Sequence, residues 1–192
     1  MMVTRYTRTA MLFHWLIAVG IVANVALACT WPYLGDTSVR PAIDTHKSIG
    51  VTILGLAVMR LIWRSTHRPP PLPANYTPVE RKAAHGVHWA FYVLIFAMPL
   101  TGWIMDSAYK DAASHPMYWF GLFQWPRIAA VMHLDPATRD RVHDGFGAAH
   151  SYLAWVICAL FALHVGAVVK HEWIDGDREL KRMLPGGADA TE

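Results

Sequence analysis

Apolar residues gather in four long windows joined by polar connections. Residues 10–29 (AMLFHWLIAVGIVANVALAC) contain no Asp, Glu, Lys or Arg. Residues 46–63 are less clean, with Lys47 at one end and Arg60 a turn before the other. Both are positions from which a long basic side chain snorkels to the headgroups. Residues 85–105 are uncharged and hold Pro99, which predicts a kink towards the end of that helix. Residues 146–169 are uncharged again. As a helix each window crosses a hydrocarbon core of about 30 Å, and each is too long and too little alternating for a strand. The pattern predicts an all-α integral membrane four-helix bundle. It forms one domain over residues 1–184, with residues 185–192 as a flexible C-terminal tail.

Four spans put both termini on one side, and the bias of Lys and Arg selects that side. The side holding the termini and the 64–84 connection carries 11 of the 17 basic residues; the other carries 6, among them Lys47, Arg127, Arg139 and Arg141. Both termini are therefore expected in the cytoplasm. The 64–84 connection, with its RPPPLP run, reads as a stiff extended loop. The longest connection lies on the outer side, between residues 105 and 143, and its aromatic stretch MYWFGLFQW (117–125) is expected in the membrane interface. Trp31, Trp63, Trp103 and Trp173 fall at span ends, as an aromatic belt does.

Composition narrows the class. The 192 residues are 54% hydrophobic and 16% charged, against roughly 45–50% and 25% in soluble domains. That excludes a multidomain enzyme and a disordered tail protein. A net charge of +3 is too small to imply a polyanion, so no nucleic-acid partner is expected. No segment specifies an oligomeric state. Arg5, Arg8 and the run ending in ALAC at Cys29 have the outline of a lipoprotein signal peptide. However, the apolar region is too long and cleavage would remove His14. Cys29 and Cys158 lie in spans without CxxC or CxxCH, which leaves a disulfide framework, a zinc knuckle and covalent c-type haem without support and predicts two buried thiols.

Ionisable side chains inside spans are costly and usually partnered, so His14, His46, His150 and His164 require an account. His150 and His164 are 14 residues apart on one helix, nearly four turns, and so share a face about 21 Å apart along the axis. His14 lies near the cytoplasmic face and His46, opening the second helix, near the outer face. Depth thus pairs His14 with His164 and His46 with His150, giving one two-helix site per leaflet. Haem iron takes axial His ligands, and Phe13, Trp15, Trp89, Tyr92, Tyr152 and Trp155 would line a macrocycle. With both axial positions filled, electron transfer is the expected task. Zinc competes as a reading, but a structural zinc site needs four close ligands and each leaflet supplies too few. A lone His in a span is more often a hydrogen-bonding residue; four matched in depth favour ligands.

At this point the chain resembles the bacterial cytochrome b561 family, related to the cytochrome b subunits of nickel hydrogenases, from about Tyr6 to Leu184. The marks are FHWL at 13–16, HKSIG at 46–50, RLIWR at 60–64, AHGVHW at 84–89, AHSYLAW at 149–155, LH at 163–164 and LKRMLP at 180–185. The resemblance implies two b haems on His14, His46, His150 and His164, and a bacterial inner-membrane location. One member type is similar to a superoxide oxidase that passes electrons to ubiquinone. Other relatives serve the quinone pool for a partner enzyme. The expected activity is electron transfer between an outer-side donor, superoxide or a periplasmic redox partner, and membrane quinone; the alternative is a haem-binding anchor subunit. A His-lined divalent metal carrier is disfavoured because no intramembrane carboxylate accompanies the histidines.

The remaining histidines are graded by position. His88 and His171, ahead of His85, are candidates to hydrogen-bond a quinone carbonyl and relay its proton, against an interfacial role beside headgroups. Arg60 and Lys47 are candidates for haem propionates, with snorkelling as the alternative. His143 is expected on the outer surface, and His67, His115 and His133 in loops. Outer segments hold 7 acidic residues against 6 basic ones, so total charge provides no funnel for superoxide, and only a local cluster of Lys47, Arg139 and Arg141 could.

Overall fold

A computed structural model describes residues 5–184, and the 185–192 tail lies outside the described residues. Helix α1 spans Arg8–Thr30 and ends in a 3-10 turn at Trp31–Tyr33. Helix α2 spans Asp36–Thr66 and α3 spans Pro78–Ser107. A two-stranded hairpin follows, β1 Tyr118–Trp119 and β2 Phe123–Gln124, then the short α4, Ala129–Met132. Helix α5 spans Pro136–Val169 and runs on into a π-helical turn at Lys170–Ile174, with a 3-10 turn at Glu179–Arg182. Four of these helices are long and apolar enough to cross a membrane.

Local chemistry sets where they start. Thr7 caps α1 by accepting from the Ala10 N–H, and Asp135 caps α5 by accepting from that of Thr138. Thr77 and Glu80 form a reciprocal capping box ahead of α3, and Pro78 and Pro136 occupy first-turn positions where no N–H is needed. Each helix outruns its apolar window. The polar ends extend past the apolar windows, and α2 begins ten residues earlier than its window, carrying Pro41 inside it. His46 therefore lies in the third turn of α2, not at its start.

Helix α2 packs on α1 and α3, and α3 packs on α5, whereas α5 makes at most marginal backbone contact with α1 or α2. The small core (Ile17, Ile53, Ala57, Tyr92, Ile95) therefore belongs to α1, α2 and α3. Gly20 lets α1 approach α2 closely, since a Cβ there would lie 3.1 Å from Ile53 Cγ1. Cys29 is exposed and Cys158 half-buried, so one expected buried thiol looks outward.

Residues 5 and 184 meet at one end of the bundle, here the near end. The C-terminal segment is strapped across it: Trp15 Nε1 donates to Met183 O at 2.7 Å, Arg182 Nη2 to Pro71 O at 2.6 Å, and Asn75 Nδ2 to Asp177 Oδ1 at 2.6 Å. Burial pushes the Tyr6 phenol above its ordinary value, against the pull of Arg182. At the far end the connection between α3 and α5 folds back over the bundle. Trp119 Nε1 donates to Thr52 Oγ1 at 3.0 Å, the Phe120 N–H to Ser48 Oγ at 3.0 Å, and Trp103 Nε1 to Pro126 O at 2.9 Å. Tyr118, Phe120, Leu122 and Phe123 stay exposed around the turn.

Candidate functional site

Two cavities occupy the gaps that α5 leaves with α1 and α2. The far-end cavity, about 330 Å³, is lined by His46 of α2 and His150 of α5. Their ring centroids are 6.2 Å apart at an interplanar angle of 69°. Each imidazole is held from behind. His46 Nδ1 lies 3.2 Å from the Asn24 carbonyl; His150 Nδ1 lies 3.0 Å from the Met98 carbonyl and 3.1 Å from Thr101 Oγ1. A carbonyl can only accept, so Nδ1 carries the proton and donates in both rings. That tautomer leaves both Nε2 lone pairs free, as in metal-bound histidines braced by a backbone oxygen.

The near-end cavity, about 220 Å³, is lined by His14 of α1, His164 of α5 and His88 of α3. His164 stands 6.3 Å from His14 and 6.4 Å from His88, centroid to centroid, with Phe91 at 5.5 Å. Arg60 Nη2 reaches to 3.5 Å of His14 Nδ1, and the Arg60 and Arg64 guanidiniums both lie over the Tyr92 ring, at 5.5 and 5.4 Å. A side chamber of similar volume, lined by Tyr6, Arg64, His85 and His88, opens towards Pro69–Pro71 and Leu72. Ile21 and Ile95 border both main cavities and wall one from the other.

The geometry discriminates between possible occupants. Metal–imidazole bonds run at about 2.0–2.1 Å and the ring centre lies about 1.2 Å behind the nitrogen, so rings flanking one metal stand about 6.4 Å apart. The pairs at 6.2 and 6.3 Å fit one metal each. Zinc would need further ligands, and the one carboxylate lining the far-end cavity, Asp106, is engaged by Lys47 and Arg127 at 2.6 and 2.8 Å. A flat macrocycle held by two histidines would fit better, because His14 stands opposite His164 and His46 opposite His150 across helices that do not pack. His88 stands at a comparable 6.4 Å from His164 but comes from α3, which packs directly on α5.

A model of the prokaryotic cytochrome b561 family matches residues 5–186. The chain belongs to that family. It is 36% identical over 183 residues to cytochrome b561 homolog 2 of Escherichia coli K12, covering 94% of this chain and 91% of that protein. It is 25% identical over 183 residues to cytochrome b561 homolog 1 of the same organism, covering 94% and 97% of the two chains. It is also 28% identical over 141 residues to a probable superoxide oxidase CybB of Yersinia pestis, covering 73% of each. Membership makes this cytochrome b561 a bacterial membrane electron-transfer protein and implies b-type haem.

Other residues of this cytochrome b561 fall differently from expectation. Trp89, Tyr152 and Trp155 are 60%, 70% and 79% exposed and line neither histidine cavity, whereas Trp15 and Tyr92 do line the near-end one. His171 is not among the near-end lining residues. It stacks on Tyr76 at 4.4 Å and bonds Asp175 Oδ2 at 2.7 Å. Glu80, His171 and Asp175 converge closely enough for a metal, but Lys170 Nζ already lies 3.0 Å from Glu80 and 2.6 Å from Asp175. The Lys170 ammonium first, and His171 after it, hold the Asp175 carboxyl below the ordinary carboxylate range. That clip is therefore complete at neutral pH and is lost as acid protonates Asp175. His143 is half-buried and bonds the Met105 carbonyl at 3.0 Å.

Asn24, Thr101 and Gly102 were missed by sequence reasoning, since nothing in the chain near them signals contact with a distant histidine. A Cβ on Gly102 would lie 3.1 Å from His150 Cε1 and 3.3 Å from Nδ1. Gly102→Ala gains roughly 1 kcal/mol of helix propensity, offset by about 1–3 kcal/mol of overpacking. Stability is therefore expected to fall by about 0–2 kcal/mol, while haem content falls through loss at the far end, read by a pyridine haemochrome assay.

Proposed function

We propose that this cytochrome b561 holds two b haems, one between His14 and His164 and one between His46 and His150, and transfers electrons between an outer-side donor and ubiquinone. Bound haem supplies a one-electron couple at each site. The observation that carries the reading is the far-end pair, whose Nδ1 protons are both committed to backbone carbonyls and whose Nε2 atoms are both free. The Lys/Arg bias supports placing the near end in the cytoplasm of the inner membrane and the far end outside. Quinone is assigned to the near end, where His88 borders both the histidine cavity and its side chamber and can hold or pass a proton. His171, outside that lining, is given no quinone role. Arg60, 3.5 Å from His14 Nδ1, supplies positive charge for haem propionates there, a role that Lys47 has less freedom to fill.

Superoxide is one candidate donor. Two superoxide ions would leave as two O₂ while one quinone takes up two electrons and two protons. The second reading, a haem-binding subunit fed by a partner protein, is favoured by the state of the far-end cations: Lys47 and Arg127 are both ion-paired to Asp106 instead of standing free to attract a small anion. Pyridine haemochrome on purified protein is expected to give two b haems per chain. Mixing that protein with superoxide and ubiquinone then separates the readings. Rapid haem reduction with quinol formation needs no partner; haem that stays oxidised assigns the donor to another protein.

A further inference from the structure

A third cavity at the near end carries more positive charge than the one arginine, Arg60, that the electron-transfer reading assigns to haem propionates. Its volume is about 350 Å³, and its lining includes Arg5, Arg60, Arg64, Arg68 and His67 but no Asp or Glu. Arg60, Arg64 and Arg68 follow one another at four-residue spacing along the end of α2 and just beyond it, a spacing at which like charges repel. Among the described residues none of these four arginines forms an ion pair with a carboxylate. Arg5 donates only to the neutral carbonyls of Lys181 and Leu184. Tyr92 shares its ring between Arg60 and Arg64 without neutralising either. The far end shows the opposite practice, with two buried cations gathered on one carboxylate. Arg60 and Arg64 also border the histidine cavity, but Arg5, His67 and Arg68 do not.

We propose that Arg5, Arg64 and Arg68, with His67, bind a phosphate-bearing anion, and that at this depth it is the headgroup of an anionic phospholipid. Two features select lipid over a soluble phosphate. Trp63 lines the cavity and Trp15 lies on the adjoining helix end, a placement typical of the headgroup level. Leu12 and Leu16 on α1, and Met59 and Ile62 on α2, are exposed on the same helix ends, an apolar surface for the acyl chains. Basic pockets between spans recognise anionic headgroups by this combination of charge and depth.

The test uses the haem-loaded full chain in neutral detergent, titrated with phosphatidylglycerol, with phosphatidylcholine or with inorganic phosphate, and read by native mass spectrometry and thermal unfolding. Phosphatidylglycerol is expected to be retained at least tenfold more tightly than phosphatidylcholine. Arg68→Gln should weaken it roughly fivefold and Arg64→Gln/Arg68→Gln roughly thirtyfold, and Arg64→Lys/Arg68→Lys should restore most of the loss. The haem absorbance of Arg68→Gln reports that the bundle is intact, so this single variant carries the test if the double variant does not fold. Equal retention of the two lipids, or a preference untouched in Arg68→Gln, overturns the proposal. Stabilisation by inorganic phosphate without any by phosphatidylglycerol assigns the site to a free anion and overturns the lipid reading.

Discussion

His150→Ala is expected to remove one of the two proposed b haems and to leave the other in place. The haemochrome value is expected to fall from two per chain to one, and a redox titration from two components to one. The separation of the cavities argues for this selectivity. His150 and His164 lie 14 residues apart on α5, about 21 Å along its axis, and Ile21 and Ile95 wall one cavity from the other. The supports of His150, the Met98 carbonyl and Thr101 Oγ1, belong to α3 and do not reach His164. Truncation to Ala only opens space beside Gly102, so the helices lose a ligand without gaining a clash. His46→Ala should reproduce the result, and His164→Ala should remove the complementary component. Loss of both haems from a protein that still folds, or of neither, would falsify the pairing.

The same contrast shows what the sequence could convey. The histidines were legible because an ionisable side chain stands out in an apolar window, and helical rise converts residue number into depth. Depth arithmetic brought His14 towards His164 and His46 towards His150, and these rings face each other at 6.3 and 6.2 Å. Depth could not separate His14 from His88, which sits at a similar level and differs only in the helix that carries it. Nor could it tell an inward aromatic from an outward one. Lipid is as apolar as the bundle interior, so Trp155 facing out and Tyr92 facing in leave the same mark on the chain. The windows marked only the membrane-buried middle of each helix, which is why the first ten residues of α2 were read as loop. Asp106 was the least legible of all. It was counted as one of seven outer acidic residues, and no local pattern ties it to Lys47, 59 positions before it, or to Arg127, 21 after it.

Asp106→Ala is the substitution expected to cost the most stability. Asp106 is 7% exposed and accepts from Lys47 Nζ at 2.6 Å and Arg127 Nε at 2.8 Å; the Arg127 side chain is itself 5% exposed. Removing the carboxylate leaves the buried Arg127 with no counter-charge and Lys47 with only the longer contact to Asp44 at 3.9 Å, a change of about 3–5 kcal/mol in comparable buried networks. The location amplifies the effect. Arg127 ties the connection between α3 and α5 to the end of α3, and its other guanidinium nitrogen bonds the Ala112 carbonyl of that same connection. Lys47 is the neighbour of His46, so a displaced ammonium also disturbs the ring that faces His150. Asp106→Ala should therefore lower the unfolding midpoint in detergent, speed proteolysis within residues 108–128 and loosen the far-end haem before the near-end one. The triple variant Asp106→Leu/Lys47→Met/Arg127→Met distinguishes an uncompensated charge from a lost contact. If buried charge is the cause, stability returns to within about 1–2 kcal/mol of the parent although both ionic contacts of Asp106 are gone. If the triple variant is as unstable as Asp106→Ala, the network instead holds the connection by its specific geometry.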